Sequence, residues 1–229
     1  YDDSFNQTPA RLLRSAEGLG YRGRIVHYVG MSHYFRLEPL GGGHYVSLAG
    51  GVLNEPCAAW HRSFAEHAKI RDFDVIWSLS YELFDAHCWN DWKQRAHDGS
   101  PALTGWEPPS TLLSPAHEGA MSYLQQVANA FVAIAQAAGL PVLFQIGEPW
   151  WWVQPDSGAP CLYDNATRAA LGGSPAIIAD MRAPIEEAQR NVLDAAGALL
   201  AHSTAALAQF VRDAAGGEAE ILLLAFTPT

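Results

Sequence analysis

The returns from helix to strand in this chain are two or three residues long: Arg71–Phe73, Gly139–Leu140 and Gly216–Glu218. The connections that leave each strand are long and irregular. Strands are expected at residues 24–33 (RIVHYVGMSH), 74–82 (DVIWSLSYE), 141–148 (PVLFQIGE) and 220–226 (EILLLAF), from their β-branched and aromatic content. Helices are expected from Thr8-Pro9 to Gly18, from Asn54 to about Ile70, from Ser114-Pro115 to Ala138, and over 184–215, with a short helix near 84–96 and a hairpin around Gly41-Gly42-Gly43. Alternating strands and helices imply βαβ units and a parallel sheet. Short returns below and long loops above are the asymmetry of a (β/α)₈ barrel, whose active face is built from the loops after the strands. A doubly wound sheet usually carries a glycine-rich phosphate turn leading from an early strand into a helix; here the glycine triplet lies in a hairpin. The expected fold class is therefore α/β, a parallel (β/α) barrel of TIM type. It is incomplete, because closure takes about eight strands and only four are read. Residues 1–229 are read as a single barrel domain or its amino-terminal half. The start at Tyr1 and the ending on a strand suggest a segment of a longer chain.

Charge narrows the partners. Fourteen basic residues face 24 acidic ones, a net charge of −10. Nucleic acid and anionic membrane surfaces need clustered Lys and Arg, so neither is expected, and no apolar run is long enough for a membrane span. A neutral glycan or polysaccharide remains compatible. Cys57, Cys88 and Cys161 lack the spacing of a zinc site or a disulfide framework. His33, His87 and His117 lack metal-ligand spacing, so no metal and no cofactor is expected.

Two carboxylates stand at strand ends. Glu148 closes the third strand and is followed by Pro149 and Trp150. Glu82 closes the second, where Ser78, Ser80 and Glu82 alternate with the apolar Val75, Trp77, Leu79 and Tyr81. Glycoside hydrolysis uses two carboxyl groups flanking the scissile bond, and a carboxyl among indole rings loses solvation and gains a proton. Each glutamate has a structural alternative as a brace on the barrel rim. Six of the eight tryptophans fall in segments after strands: Trp89, Trp92, Trp106, Trp150, Trp151 and Trp152. Their faces can stack on sugar rings, although three consecutive tryptophans cannot all point one way and tryptophan is often core. His33 ends the first strand and could orient a substrate hydroxyl or bond to backbone; Asp85, His87 and Asp91 are weaker candidates. Asn54-Glu55-Pro56 is read as a helix cap, not as chemistry, because it follows no barrel strand.

Gly147-Glu148-Pro149-Trp150 resembles the acid/base strand end of the clan of retaining (β/α)₈ glycosidases, whose motif there is Asn-Glu-Pro. The resemblance implies an acid/base role for Glu148. Gly147 replaces the Asn that contacts the sugar 2-hydroxyl in that clan, and the clan's nucleophile lies on a later strand than these four. A wider resemblance rests on Tyr21-Arg22-Gly23, Tyr28-Val29-Gly30-Met31-Ser32-His33, Ser78-Leu79-Ser80-Tyr81-Glu82 and Gly147-Glu148-Pro149-Trp150-Trp151. These segments are similar to a barrel domain of bacteriophage and prophage tail proteins, some of them non-contractile tail sheath proteins. That resemblance implies a component of the virion tail, with other tail subunits and the remainder of the parent chain as partners. Its barrel would bind cell-surface glycan or serve as catalytically silent architecture.

Overall fold

The computed structural model of the chain describes residues 5–29 and 35–225. In chain order the elements are α1 (Pro9–Gly18), β1 (Gly23–Tyr28), β2 (Leu37–Leu40), β3 (Gly43–Val46), α2 (Glu55–Ile70), β4 (Phe73–Ser80), β5 (Glu82–Phe84), β6 (Ser110–Leu112), α3 (Glu118–Ala137), β7 (Val142–Gly147), α4 (Asn165–Ala170), α5 (Glu187–Ala214) and β8 (Ala219–Leu224). The four long strands form one parallel sheet in the order β1-β4-β7-β8. Among the described residues the sheet does not close. No helix among them is long and apolar enough to cross a membrane.

Parity along the strands decides which face is covered. Val75, Trp77 and Leu79 of β4 and Phe144 and Ile146 of β7 are buried in one cluster with Phe64 and Ala68 of α2 and Val127 and Phe131 of α3. The rings of Trp77 and Phe131 stack at 5.3 Å. The opposite face is more polar: Ser78 donates from Oγ to Gln145 Oε1 at 2.8 Å, and Tyr28 and Ser80 share a hydrogen bond of 2.6 Å. At the amino end of this face Arg24 of β1 donates to both carboxylate oxygens of Glu220 of β8, at 2.9 and 2.8 Å. The edge strands of a flat sheet of this width would lie roughly 14 Å apart. Side chains standing perpendicular to such a sheet could not meet, so the polar face is concave, like the inside of a barrel wall.

Several helix ends are set by local chemistry. Asn54 Oδ1 accepts from the Cys57 N–H at 2.9 Å and Pro56 occupies the first turn, so Asn54-Glu55-Pro56 caps α2. Two boundaries differ from the sequence expectation. The short helix near 84–96 is instead a pair of 3₁₀ turns, Asp85–His87 and Asn90–Trp92. Lys93 Nζ is drawn back to the Asp85 carboxylate at 2.6 Å, and the Gln94 N–H donates to the Leu112 carbonyl at 2.8 Å. Those bonds pull the segment toward β6. Helix α3 begins at Glu118, not at Ser114-Pro115, because the Ser114 N–H is committed to the Trp92 carbonyl at 2.7 Å and His117 takes over as cap. Helix α5 runs through Gly197 without a break.

His27 of β1 faces the helices. It is 9% exposed, stacked on Phe64 at 4.7 Å and Trp60 at 5.6 Å, and its Nε2 has no hydrogen-bond partner among the described residues. Burial, and then the neighbouring His61, hold its pKa well below the ordinary histidine value. Below about pH 6.5 the unfolded chain therefore takes up a proton that the folded chain refuses. Stability should rise with pH up to that point, by about 1.4 kcal/mol per pH unit for one proton. Urea unfolding at several pH values should show this slope in the wild type, and His27→Phe should remove one proton's worth of it.

Candidate functional site

The register between β4 and β7 sets Ser80 opposite Gly147. Glu82 and Glu148 lie just beyond those partners, at the carboxyl end of the sheet. Glu82 is the first residue of β5 and pairs with Leu112 of β6, while the Tyr81 carbonyl accepts from the Leu113 N–H at 2.8 Å. Its backbone is thereby fixed, and the side chain is buried at 4% exposure. Oε2 lies 3.5 Å from the Tyr28 hydroxyl, and Oε1 has no hydrogen-bond partner among the described residues.

Glu148 has a left-handed backbone, φ 56°. This is unfavourable for a residue with a Cβ, and unusual before proline. The Trp150 N–H donates to the Glu148 carbonyl at 3.0 Å, closing a tight turn around Pro149 that returns Trp150 toward the carboxyl group. The pKa of Glu148 is pushed up to about 7, first by burial and then by the neighbouring Glu82. Two neighbouring carboxyl groups cannot both ionise cheaply, so the site favours a proton on Glu148 more than solvent would.

The two glutamates line a cavity of about 220 Å³ with Thr104, Gly105, Trp106, Leu112, Trp150 and Trp152. One side chain holds its walls. Gln94, fully buried, donates from Nε2 to the carbonyls of Leu113 (3.1 Å) and Trp150 (3.0 Å), and its Oε1 accepts from the Trp152 N–H (2.9 Å). It ties the loop after β4 to the loop after β7. The Trp152 ring packs on Ala96, Ala102, Leu112, Ala159 and Cys161.

A model of the family described as non-contractile tail sheath protein TIM barrel matches residues 1–229. The chain belongs to that family. Among solved structures, the α-galactosidase from Lactobacillus brevis is similar at 14% identity, with a TM-score of 0.49 over 96% of this chain and 25% of that one. The chain thus spans a quarter of that enzyme's length.

The tail sheath barrel distributes its sequence-derived candidates over several places. Glu82, Glu148, Trp106, Trp150 and Trp152 meet at the cavity. Trp151 points the other way, donating from Nε1 to the Ala196 carbonyl of α5 at 2.9 Å and packing near Leu162 and Tyr163. Trp89 stacks on Tyr45 at 5.0 Å and donates to the Val46 carbonyl at 3.0 Å, which pins the β2–β3 hairpin. Trp92 is 4% exposed in the main core, 5.5 Å from the Tyr123 ring. These three are placed away from the cavity lining. Asp85 pairs with Lys93, His87 with the His44 carbonyl, and Asp91 with His117. His33 lies outside the described residues. No cluster of potential metal ligands occurs among the described residues.

Tyr28, Gln94 and Thr104 went unread in the sequence. Tyr28 had a signal, since it shares the strand parity of Arg24, which faces the concave side. Gln94 had none, because its role comes from pairings formed only when the two long loops meet; Thr104 is set by its pairing with Ser110 across a turn of the first loop.

Two outcomes test this construction. Glu148→Gly should be more stable than Glu148→Ala by about 1 kcal/mol in chemical denaturation, because only glycine accepts the left-handed backbone without strain; equal stabilities would show that the turn relaxes. Gln94→Leu removes partners from two buried carbonyls and one N–H, and should cost about 3 kcal/mol or more, with a shift in tryptophan fluorescence as the Trp150–Trp152 segment loosens.

Proposed function

We propose that this tail sheath barrel is a glycan-recognising domain of a tail assembly, with other tail subunits as its neighbours and with sugar held in the cavity of Glu82 and Glu148. The observation that carries the reading is the meeting of a paired carboxyl group with Trp106, Trp150 and Trp152 in one cavity at the strand carboxyl ends. Carboxyl groups exchange hydrogen bonds with hydroxyls, and indole faces cover the apolar C–H faces of sugar rings; together they suit a ligand that is polar at its rim and apolar on its faces. Glu148 in its protonated form donates, and Glu82 accepts.

The residue at 147 favours binding over cleavage as the primary activity. A Cβ there would meet the Leu79 carbonyl oxygen and Ser78 Oγ at 3.5 Å, ordinary contacts, so the fold does not require glycine. What glycine removes is a polar side chain beside the acid.

Cleavage is a second reading, supported by the raised pKa of Glu148. In it Glu148 gives its proton to the glycosidic oxygen as the C–O bond breaks, the Glu82 carboxylate faces the positive charge left on the sugar, and water adds to that carbon and returns a proton to Glu148.

Glycan-array and calorimetric binding with the intact protein should detect a saccharide ligand, and Glu82→Gln and Glu148→Gln should each weaken it about tenfold or more. If the cleavage reading holds, new reducing ends appear, and Glu148→Gln lowers their rate by about 10²–10⁴-fold. Absence of any saccharide binding would leave the domain as tail architecture.

A further inference from the structure

We infer that the cavity takes one neutral pyranose ring at the terminus of a glycan, entering end-on, and does not grip the interior of a chain; this rests on the glycan reading above. Size is the first argument. The cavity is about 220 Å³, below the roughly 300–1,000 Å³ of pockets that engulf a drug-sized ligand. It has room for one six-membered ring with its hydroxyls, and a second ring must lie outside.

Shape is the second. Leu112 and Glu82, at 1% and 4% exposure, mark the buried end, and Trp106, at 60%, marks the mouth. The buried end is built from β5 and β6, paired by backbone. It is joined to the Trp150–Trp152 wall by the three hydrogen bonds of Gln94. A floor held by strand pairing and a buried amide does not part to let a polymer through. The ring that enters is therefore a chain end, and Trp106 is left to lie against the next ring.

Chemistry is the third. Among the described residues no lysine or arginine lines the cavity; Lys93 is tied to Asp85. Two glutamates without a cation repel an acidic sugar and accept a neutral one.

The test uses the intact protein and three sets of defined saccharides: linear neutral gluco-, galacto- and manno-oligosaccharides, cyclic glucans that have no chain end, and linear oligosaccharides ending in a uronic acid. Binding is measured by calorimetry, and the contacted ring by saturation-transfer NMR. At least one linear neutral set should bind, with transfer concentrated on its terminal ring. The cyclic and uronate-ended compounds should bind at least about tenfold more weakly, and Glu148→Gln, a half-buried and near-isosteric change, should lower affinity for the linear compound without altering the circular dichroism. Transfer spread over internal rings, or equal binding of cyclic or uronate-ended compounds, overturns the terminal-ring inference and leaves the glycan reading standing. Failure of every saccharide in all three sets, at concentrations that saturate ordinary sugar-binding proteins, overturns both.

Discussion

The parallel pairing of β4 with β7 puts Ser80 opposite Gly147, and the rest of the site is a consequence of that register. Each strand is covered by helices on one face, so its side-chain parity is fixed. A slip of one residue would turn Trp77 and Phe144 out of the core. With the register locked, the first acidic residue past each strand end falls next to the other. Burial of a few large side chains behind the sheet thus determines the meeting of two carboxyl groups in front of it.

That meeting is unfavourable in itself, and the surrounding structure has to hold it. Glu148 is desolvated, lies against another carboxyl group and has a left-handed backbone. Each of these features disfavours the folded site relative to an alanine in relaxed geometry. The opposing contributions come from outside the pair. Gln94 satisfies three buried backbone groups at once, the Trp152 ring packs a small satellite core, and Trp151 anchors the far side of the loop on α5. The consecutive tryptophans divide the work: alternate side chains face the cavity while the middle one fastens the segment to the scaffold. Strain at a site persists only where its surroundings over-determine it, and here two loops and a helix do so.

Much of this was legible in the chain. The four parallel strands followed from the βα alternation, and the two glutamates from their places at strand ends. The cap role of Asn54 followed from its position before a helix and after no barrel strand. What was not legible depends on contacts between distant segments. The stretch from Phe84 to Ala96 carries aromatic residues at helical spacing, Trp89 and Trp92, yet it forms 3₁₀ turns because Lys93 and Gln94 are held by Asp85 and Leu112. Those tryptophans were candidates for sugar contact because they follow a strand. Their neighbours Tyr45 and Tyr123 come from segments on either side of that loop, and sequence order did not reveal that they would claim both rings. Gln94 is one polar residue among many in the sequence and becomes a clamp only when both loops are present.

The contrast between Asn54-Glu55-Pro56 and Gly147-Glu148-Pro149 shows how chemistry is separated from spelling. The first triplet has the letters of a glycosidase strand end, but its asparagine accepts a backbone N–H to start α2 and its glutamate lies in the first helical turn. The second lacks the asparagine, but its glutamate stands at a strand end in a cavity with a second carboxyl group and three indoles. Its acidity is altered by those neighbours, and its backbone conformation is one that packing must impose. Position relative to the sheet, not the triplet, gives a carboxyl group its environment. By that criterion Glu148, beside Glu82 and with no side chain at 147, differs from Glu55 in its solvation, its charged neighbour and its backbone.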